Sequence, residues 1–201
     1  ERVKAVRKTF GNDLKILTDV NSAYSLEDAR KVMPVLESEG VGWIEEPFPA
    51  HDYRSYSIAS KFSTLPIAAG ENHYTRFEYI KLIEEGVVQI LQPDISKTGG
   101  MTEAIRISAM ASAWKLPINP HSSMTGLNMA ATIHLLASIE NAGYFEADVS
   151  HKNPFRDQLV STPYKLSSIG TVIPLDKPGI GVEVDEEFIT KHPVIEGPSY
   201  V

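Results

Sequence analysis

The feature that most constrains the fold is a repeat in the order of the elements. Short runs rich in Val, Ile, Leu and aromatic residues alternate with longer amphipathic stretches; the runs are "LKILTDVN", "VGWIEEP", "LPIAAGEN", "VVQILQPD", "LPINPHSS" and "GYFEADVS". An ionisable residue marks each run, at successive intervals of 26, 26, 23, 27 and 25 positions: Asp19, Glu45, Glu71, Asp94, His121 and Glu146. This near-constant step of strand, loop and helix indicates a supersecondary repeat.

Alternation of strands and helices predicts an α/β fold with parallel strands and right-handed crossovers. Two architectures satisfy that order, an open doubly wound sheet and a (β/α) barrel. In a barrel the carboxyl ends of all strands converge on one mouth, whereas in an open sheet only the switch point is active. Six successive strand ends with ionisable side chains therefore favour a (β/α) TIM-type barrel.

The helical stretches carry their own start and stop signals. In "SLEDARKVMPVLESEG", Ser25 is a candidate N-cap and Gly40 a candidate end, while Pro34 carries a risk of a kink or boundary. Further helices are predicted to begin at Thr75 and at Thr102, and another occupies "LNMAATIHLLASIENAG".

Composition excludes several kinds of partner and site. The formal net charge is -7, which argues against nucleic acid or an anionic membrane surface as the main partner. Cysteine is absent, so the chain has no disulfide, no thiolate zinc site and no cysteine nucleophile. No apolar run reaches the roughly 18 residues that a membrane helix needs. We expect a cytoplasmic protein.

Three carboxylates, Asp19, Glu45 and Glu71, fall at three successive strand ends. Adjacent parallel strands lie about 4.8 Å apart, so three such side chains can meet around one ion. Ligation by oxygen alone favours a hard cation, Mg²⁺ first and Mn²⁺ second. The alternative is that these acids cap helices or form salt bridges at the rim of the sheet.

Two further polar residues lie beside this set. Glu46 follows Glu45 directly and is expected to hold a metal ligand or a basic group in place; alternatively it points outward in the loop, because successive strand residues face opposite sides. Asn21 lies two positions after Asp19, on the same face, and is a candidate for contact with metal-bound water or substrate.

Asp94 and His121 occupy neighbouring strand ends. An aspartate that accepts the histidine Nδ1–H fixes the tautomer and leaves Nε2 free to take a proton. Glu146 is expected to donate a hydrogen bond when protonated, or to orient substrate. A divalent cation facing an Asp–His pair suits abstraction of a proton next to a carboxylate, and a hydroxyl on the β-carbon could then leave as water.

The motifs together resemble the barrel domain of the enolase superfamily, in its mandelate racemase-like (mandelate racemase/muconate lactonizing enzyme) branch. The resemblance covers essentially the whole chain, from "LTDVN" through "WIEEP", "GEN", "QPD", "NPHSS" and "FEAD" to "PGIGVEVDEEF". "GEN" or "EEP" alone is a weak signal, whereas all of them in this order and spacing form a strong one.

The resemblance implies a role for each matching residue. It implies that Asp19, Glu45 and Glu71 are metal ligands and that Glu46 supports them. It implies an Asp–His dyad at two further positions, Asp94 and His121. It also implies that the acid of the last strand, Glu146, hydrogen-bonds the substrate carboxylate.

Members of that family begin with an α+β capping domain and early barrel strands, the second of which carries a Lys-x-Lys acid/base motif. None of these is found in this sequence. We therefore expect residues 1–201 to be the C-terminal barrel domain portion of a longer polypeptide, comprising strands three to eight plus a C-terminal tail, without the N-terminal capping domain.

The sequence thus predicts a Mg²⁺-dependent dehydratase that converts a sugar acid or related hydroxy-acid to a 2-keto acid. The segment "NPFRDQL" favours dehydration, because it resembles members that dehydrate hydroxylated acids. Three alternatives stay open: a racemase or epimerase of an α-substituted carboxylate, a barrel glycosidase with two facing carboxylates, and a non-catalytic metal-binding fragment. The expected partners are a small-molecule carboxylate substrate and, for the full-length protein, further copies of itself in a homo-oligomer.

Overall fold

A computed structural model of the chain describes residues 1–195 and 197, and its main sheet has four parallel strands. They pair in sequence order: β1 (Thr18–Asp19), β2 (Ile44–Glu45), β3 (Ile67–Ala69) and β4 (Ile90–Leu91). Two parallel bridges continue the series, Leu91 with Ile118 and Ile118 with Ala142. The predicted α/β class with a parallel sheet is confirmed.

The last predicted strand is wrong in its position. Its pairing falls at Ala142, one residue before "GYFEADVS" begins, and residues 143–150 form no strand. Side-chain oxygens accept hydrogen bonds from backbone amides that regular strand pairing would use. The amide of Tyr144 donates to Asn119 Oδ1, and the amide of Ser122 donates to Glu146 Oε2. Such side-chain bonds compete with regular strand pairing.

The chain divides into two compact units. The first comprises residues 1–121 and 139–144, and the second comprises residues 122–138 with the described residues from 145 onward. The helices of the first unit are α1 (Arg2–Phe10), α2 (Leu26–Ser38), α3 (Tyr53–Phe62), α4 (Thr75–Glu84), α5 (Ile95–Thr98) and α6 (Met101–Ala113). The second unit holds α7 (Gly126–Ser138), α8 (Pro154–Asp157), the antiparallel pair β5 (Lys165–Leu166) and β6 (Val172–Ile173), and α9 (Glu186–Lys191).

The helices whose starts were predicted begin within one residue of those positions. Ser25 caps α2 in a full capping box with Asp28, and α4 begins at Thr75. α2 continues through Pro34, which lies on its exposed side. α7 ends at Ser138, short of the predicted Gly143.

Helix α3 was missed by the sequence reading. Half of its residues, "YRSYSIASKF", are apolar or aromatic, and Ser55, Tyr56 and Ala59 are buried on one side, but no glycine or asparagine marks its end. Asp52 caps it by accepting a hydrogen bond from the amide of Ser55. No helix in the described part of the chain is long and apolar enough to cross a membrane.

Each unit has its own core. In the first, Ile44, Ile67 and Leu91 from the strands belong to the same buried cluster as Met33 of α2 and Leu82 of α4. In the second, Leu159, Val160 and Phe188 are buried, with Leu127 and Val182 packed against them.

One glycine permits a close approach inside the second unit. A Cβ at Gly126, the first residue of α7, would lie 2.4 Å from Val160 Cγ2 and 2.9 Å from the carbonyl oxygen of Arg156. Only a residue without a side chain lets the start of α7 come this close to α8 and the segment that follows it.

The core of the first unit can be tested within one helix. Ile107 of α6 is 0% exposed, whereas Ile105 of the same helix is 43% exposed. We expect Ile107→Ala to lower the free energy of unfolding by about 2–5 kcal/mol through lost burial and a residual cavity. The matched variant Ile105→Ala should cost under about 1 kcal/mol. Denaturant unfolding of both variants checks this, and equal losses would contradict the described packing.

A half-buried polar contact joins α2 to the segment before β3. Glu37 Oε1 accepts hydrogen bonds from the hydroxyls of Ser63 and Thr64 and from the amides of Thr64 and Leu65. Burial alone would raise the pKa of Glu37, but these hydrogen bonds outweigh it and hold the pKa below its usual value.

This arrangement predicts a pH-dependent contribution to stability. Because the pKa is lower in the folded state, the contribution is present above the unfolded pKa of about 4.3 and is lost as the pH falls through the folded value. Glu37→Gln should therefore cost roughly 1 kcal/mol at neutral pH, and the difference from the parent should shrink in acid. Unfolding measured from pH 7 to pH 3 tests this, with the exposed Glu84→Gln as control. A pH-independent difference would contradict it.

Candidate functional site

The carboxyl ends of the parallel strands place several predicted residues at one edge of the first unit. Asp19 and Glu45 are register partners at the ends of β1 and β2. Glu71 follows β3 by two residues, and Asp94 follows β4 by three. His121 comes three residues after the bridge at Ile118. Parallel pairing thus collects the side chains that the sequence spacing marks.

Asp94 and His121 form the predicted pair. Asp94 is 0% exposed, and its Oδ2 lies 2.7 Å from His121 Nδ1. The other oxygen, Oδ1, accepts a hydrogen bond from the amide of Ser96 at 2.7 Å and so caps α5. With both oxygens engaged, the carboxylate is fixed in orientation, and it fixes the imidazole in turn.

The opposite nitrogen of His121 faces a second carboxylate. Nε2 lies 2.8 Å from Glu71 Oε2, and Lys97 Nζ lies 3.8 Å from Glu71 Oε1. An ionised carboxylate only accepts hydrogen bonds, so contacts with two of them suit a histidine that carries a hydrogen on each nitrogen. Burial would raise the pKa of Glu71, but the hydrogen bond and charge of His121 and the charge of Lys97 outweigh it and lower that pKa.

Glu46 is buried within the same edge, with 2% of its surface exposed, and does not point outward. Its Oε2 accepts hydrogen bonds from Asn72 Nδ2 at 2.7 Å and from Ser22 Oγ at 3.5 Å, while Oε1 has no hydrogen-bond partner among the described residues. Burial is the main cause that raises the pKa of Glu46. The hydrogen bond from Asn72 opposes the rise, and the charges of Glu71 and Asp19 add to it.

Asn72 is a residue that the sequence analysis missed. Its Nδ2 donates to Glu46 Oε2 and, at 2.9 Å, to Glu71 Oε1, so one amide group bridges two carboxylates. The signal was present in the sequence, because Asn72 is the last letter of "GEN". Its significance depends on the position of Glu46, which a linear pattern does not show.

The residues after β1 have an unusual backbone. Asn21 and Ser22 have φ of 50° and 61°, and Glu46 after β2 has φ of 36°. Non-glycine residues rarely adopt this left-handed region, and such strain tends to collect at functional sites. Asn21, expected to contact metal-bound water or substrate, here donates to both oxygens of Asp19, from its amide at 2.8 Å and from Nδ2 at 2.7 Å.

The acids at this edge have the donor chemistry that a hard cation needs. Asp19 and Glu45 are side by side in register, and the charges of Glu71 and Asp19 both act on buried Glu46, so negative charge is concentrated here. Within the described part of the chain, no three His, Asp or Glu side chains are already gathered as a ready-made metal cage. Asp19 is engaged with Asn21, and Glu71 with His121. These carboxylate oxygens fit Mg²⁺ as ligands. To bind the ion, Glu71 would have to move away from His121.

Glu146 belongs to the second unit. Its side chain is exposed, and its Oε2 accepts a hydrogen bond from the amide of Ser122 at 2.8 Å. Its expected contact with a substrate carboxylate stays a prediction.

This combination of parallel α/β sheet and acidic strand ends agrees with the comparisons. Residues 1–188 match the family described as enolase C-terminal domain-like, and the chain belongs to that family. A crystal structure of an enolase-superfamily member from Polaromonas sp. JS666 superposes with a TM-score of 0.94 at 56% identity, covering 100% of this chain and 53% of that one. The predicted membership of the enolase superfamily is confirmed.

Two curated relatives are sugar-acid dehydratases. D-galactonate dehydratase of Cronobacter sakazakii is 35% identical over 192 residues, which is 93% of this chain and 50% of that protein. Arabinonate dehydratase of Saccharolobus solfataricus is 33% identical over 186 residues, covering 92% of this chain and 48% of that protein. The chain therefore spans about half the length of the curated relatives it matches.

Proposed function

We propose that the protein containing this chain is a Mg²⁺-dependent dehydratase that converts a sugar acid to a 2-keto acid. The observation that carries the proposal is the buried Asp94–His121 pair, whose Nε2 faces the acidic strand ends. The names of the two dehydratase relatives support a sugar-acid substrate. The four-stranded sheet and its two bridges are, in this proposal, part of a (β/α) barrel.

His121 is the proposed base. Its Nε2 takes the proton from the carbon next to the substrate carboxylate, and the electron pair moves into that carboxylate. The C–O bond at the β-carbon then breaks, hydroxide leaves as water with the proton that Nε2 has taken up, and the enol product tautomerises to the 2-keto acid. Asp94 keeps Nδ1 protonated throughout and stabilises the imidazolium.

The acids have a separate role. Asp19, Glu45 and Glu71 would hold Mg²⁺, which supplies positive charge for the negative charge that develops on the substrate. Glu46 and Asn72 would hold Glu71 in position through the amide bridge. Glu71 would have to be clear of His121 Nε2 for that nitrogen to accept a proton.

The overall proposal is tested with the full-length protein and Mg²⁺ on a panel of aldonic acids that includes arabinonate and galactonate. We expect 2-keto acid to form. Exchange of the α-proton with deuterated solvent without elimination would instead favour a racemase or epimerase. Turnover that survives exhaustive chelation would contradict metal-dependent chemistry.

The metal ligands are tested by calorimetry. Glu45→Gln keeps the size of the side chain but removes its charge, so Mg²⁺ affinity should fall by roughly 10- to 100-fold. The exposed Glu186→Gln in α9 is the matched control and should bind Mg²⁺ like the parent. Equal affinity of the parent and Glu45→Gln would rule out Glu45 as a ligand.

The base is tested by substitution of the pair. His121→Asn should lower kcat by at least about 10³-fold while Mg²⁺ affinity changes little, because the proton acceptor is lost. Asp94→Asn should cost as much or less, since it disturbs the tautomer but leaves the imidazole in place. The exposed His51→Asn should leave kcat unchanged. Full turnover by His121→Asn would mean that the histidine is structural.

A further inference from the structure

A second cluster, in the second unit, organises the segment that follows Glu146. We name it the Asp148 cluster; it consists of Asp148, Asn153 and Arg156. Asp148 Oδ2 accepts hydrogen bonds from Asn153 Nδ2 at 2.9 Å and from Ser150 Oγ at 3.0 Å, and it lies 3.4 Å from Arg156 Nη1. Asp148 Oδ1 accepts from the amide of Ser150 at 2.8 Å. These four contacts restrict the orientation of the Asp148 carboxylate.

Arg156 fixes the backbone of the same segment. Its Nη1 donates to the carbonyl oxygens of Asp148 and Ser150, both at 2.9 Å. Its Nε and Nη2 form a paired contact with the two oxygens of Asp157 at 2.6 and 2.8 Å. A planar guanidinium held on one side by a carboxylate can hold two carbonyls on the other, which an ammonium group cannot do with the same geometry.

Asn153 links this segment to the loop after His121. Its Nδ2 donates to the carbonyl oxygens of Ser123 and Met124 at 3.2 and 3.3 Å, besides its bond to Asp148. Its Oδ1 accepts from the amide of Arg156 and caps α8. A helix cap requires only the oxygen, so the amide donors of Asn153 serve another purpose.

The same two stretches of chain meet at Glu146, whose Oε2 accepts from the amide of Ser122. We propose that Asn153 and Arg156 are positioning residues: through Asp148 and the Ser123–Met124 carbonyls they hold the Glu146 carboxylate against the Ser122 amide. The consequence for catalysis rests on the proposed function, in which Glu146 binds the substrate carboxylate. The positional claim itself does not depend on any substrate.

The first experiment measures amide hydrogen exchange in the full-length protein without substrate. Asn153→Asp is nearly isosteric and keeps the oxygen that caps α8, but it places a carboxylate against Asp148 and two carbonyls. We expect exchange at the Ser122 amide to rise at least about tenfold, while Met129 inside α7 keeps its protection. Asp185→Asn is the matched control, because Asp185 caps α9 in the same unit through the amide of Phe188. That control should leave Ser122 unchanged.

Arg156→Lys provides a second variant in case Asn153→Asp does not fold. It keeps the positive charge but loses the planar fork, so exchange at Ser122 should rise as well. Unchanged exchange at Ser122 in both variants would overturn the proposal. Faster exchange at Ser122 and Met129 alike would also overturn it, since it would show a general loss of folding in place of a positioning effect.

The second experiment measures kinetics once a turned-over acid is known. A misplaced Glu146 weakens ground-state and transition-state binding alike, so Asn153→Asp should raise KM roughly five- to tenfold with kcat within about twofold. In the Glu146→Gln background, Asn153→Asp should add less than about twofold, because both changes remove the same interaction. Fully additive effects would overturn the positioning role. If no acid is turned over, the proposed function fails and the exchange experiment alone decides this inference.

Discussion

Parallel pairing of short strands is the constraint on which the rest of the first unit depends. Because every strand runs the same way, each carboxyl end opens at the same edge, and the residues just beyond it become neighbours. The register of Asp19 with Glu45 follows from this pairing. The strands are only two or three residues long, and the helices between them contribute more residues to the buried cluster than the strands do.

Several carboxylates at one edge repel one another, and a few neighbouring side chains compensate for this repulsion. Glu46 is buried, which costs free energy for a carboxylate, and the Asn72 amide is shared between it and Glu71. Glu71 is balanced by His121 and Lys97. Glu71 thus faces two nitrogen-bearing side chains at once.

In the second unit, side-chain hydrogen bonds hold a segment that has no regular secondary structure. Residues 145–150 form no strand, and side chains bond to backbone groups of this segment instead. Asp148, Asn153 and Arg156 connect carbonyls and amides from two stretches of chain. Irregular backbone that is held by so many side-chain bonds can present a carboxylate as firmly as a strand end does.

The spacing of runs and acids determined the parallel α/β class, four of the strands, the capped helix α2 and the Asp94–His121 pair. These features are local, or they depend on one period that survives in a linear sequence. Helix α3 was not predicted, because no glycine or asparagine marks its end in the sequence. Only the tertiary structure decided that Glu46 is buried, that Asn72 bridges two acids, that His121 lies between Asp94 and Glu71, and that the last pairing falls at Ala142. Each of these depends on contacts between residues some 20 or more positions apart in the chain, whose geometry is fixed by packing and carries no sequence signal of its own.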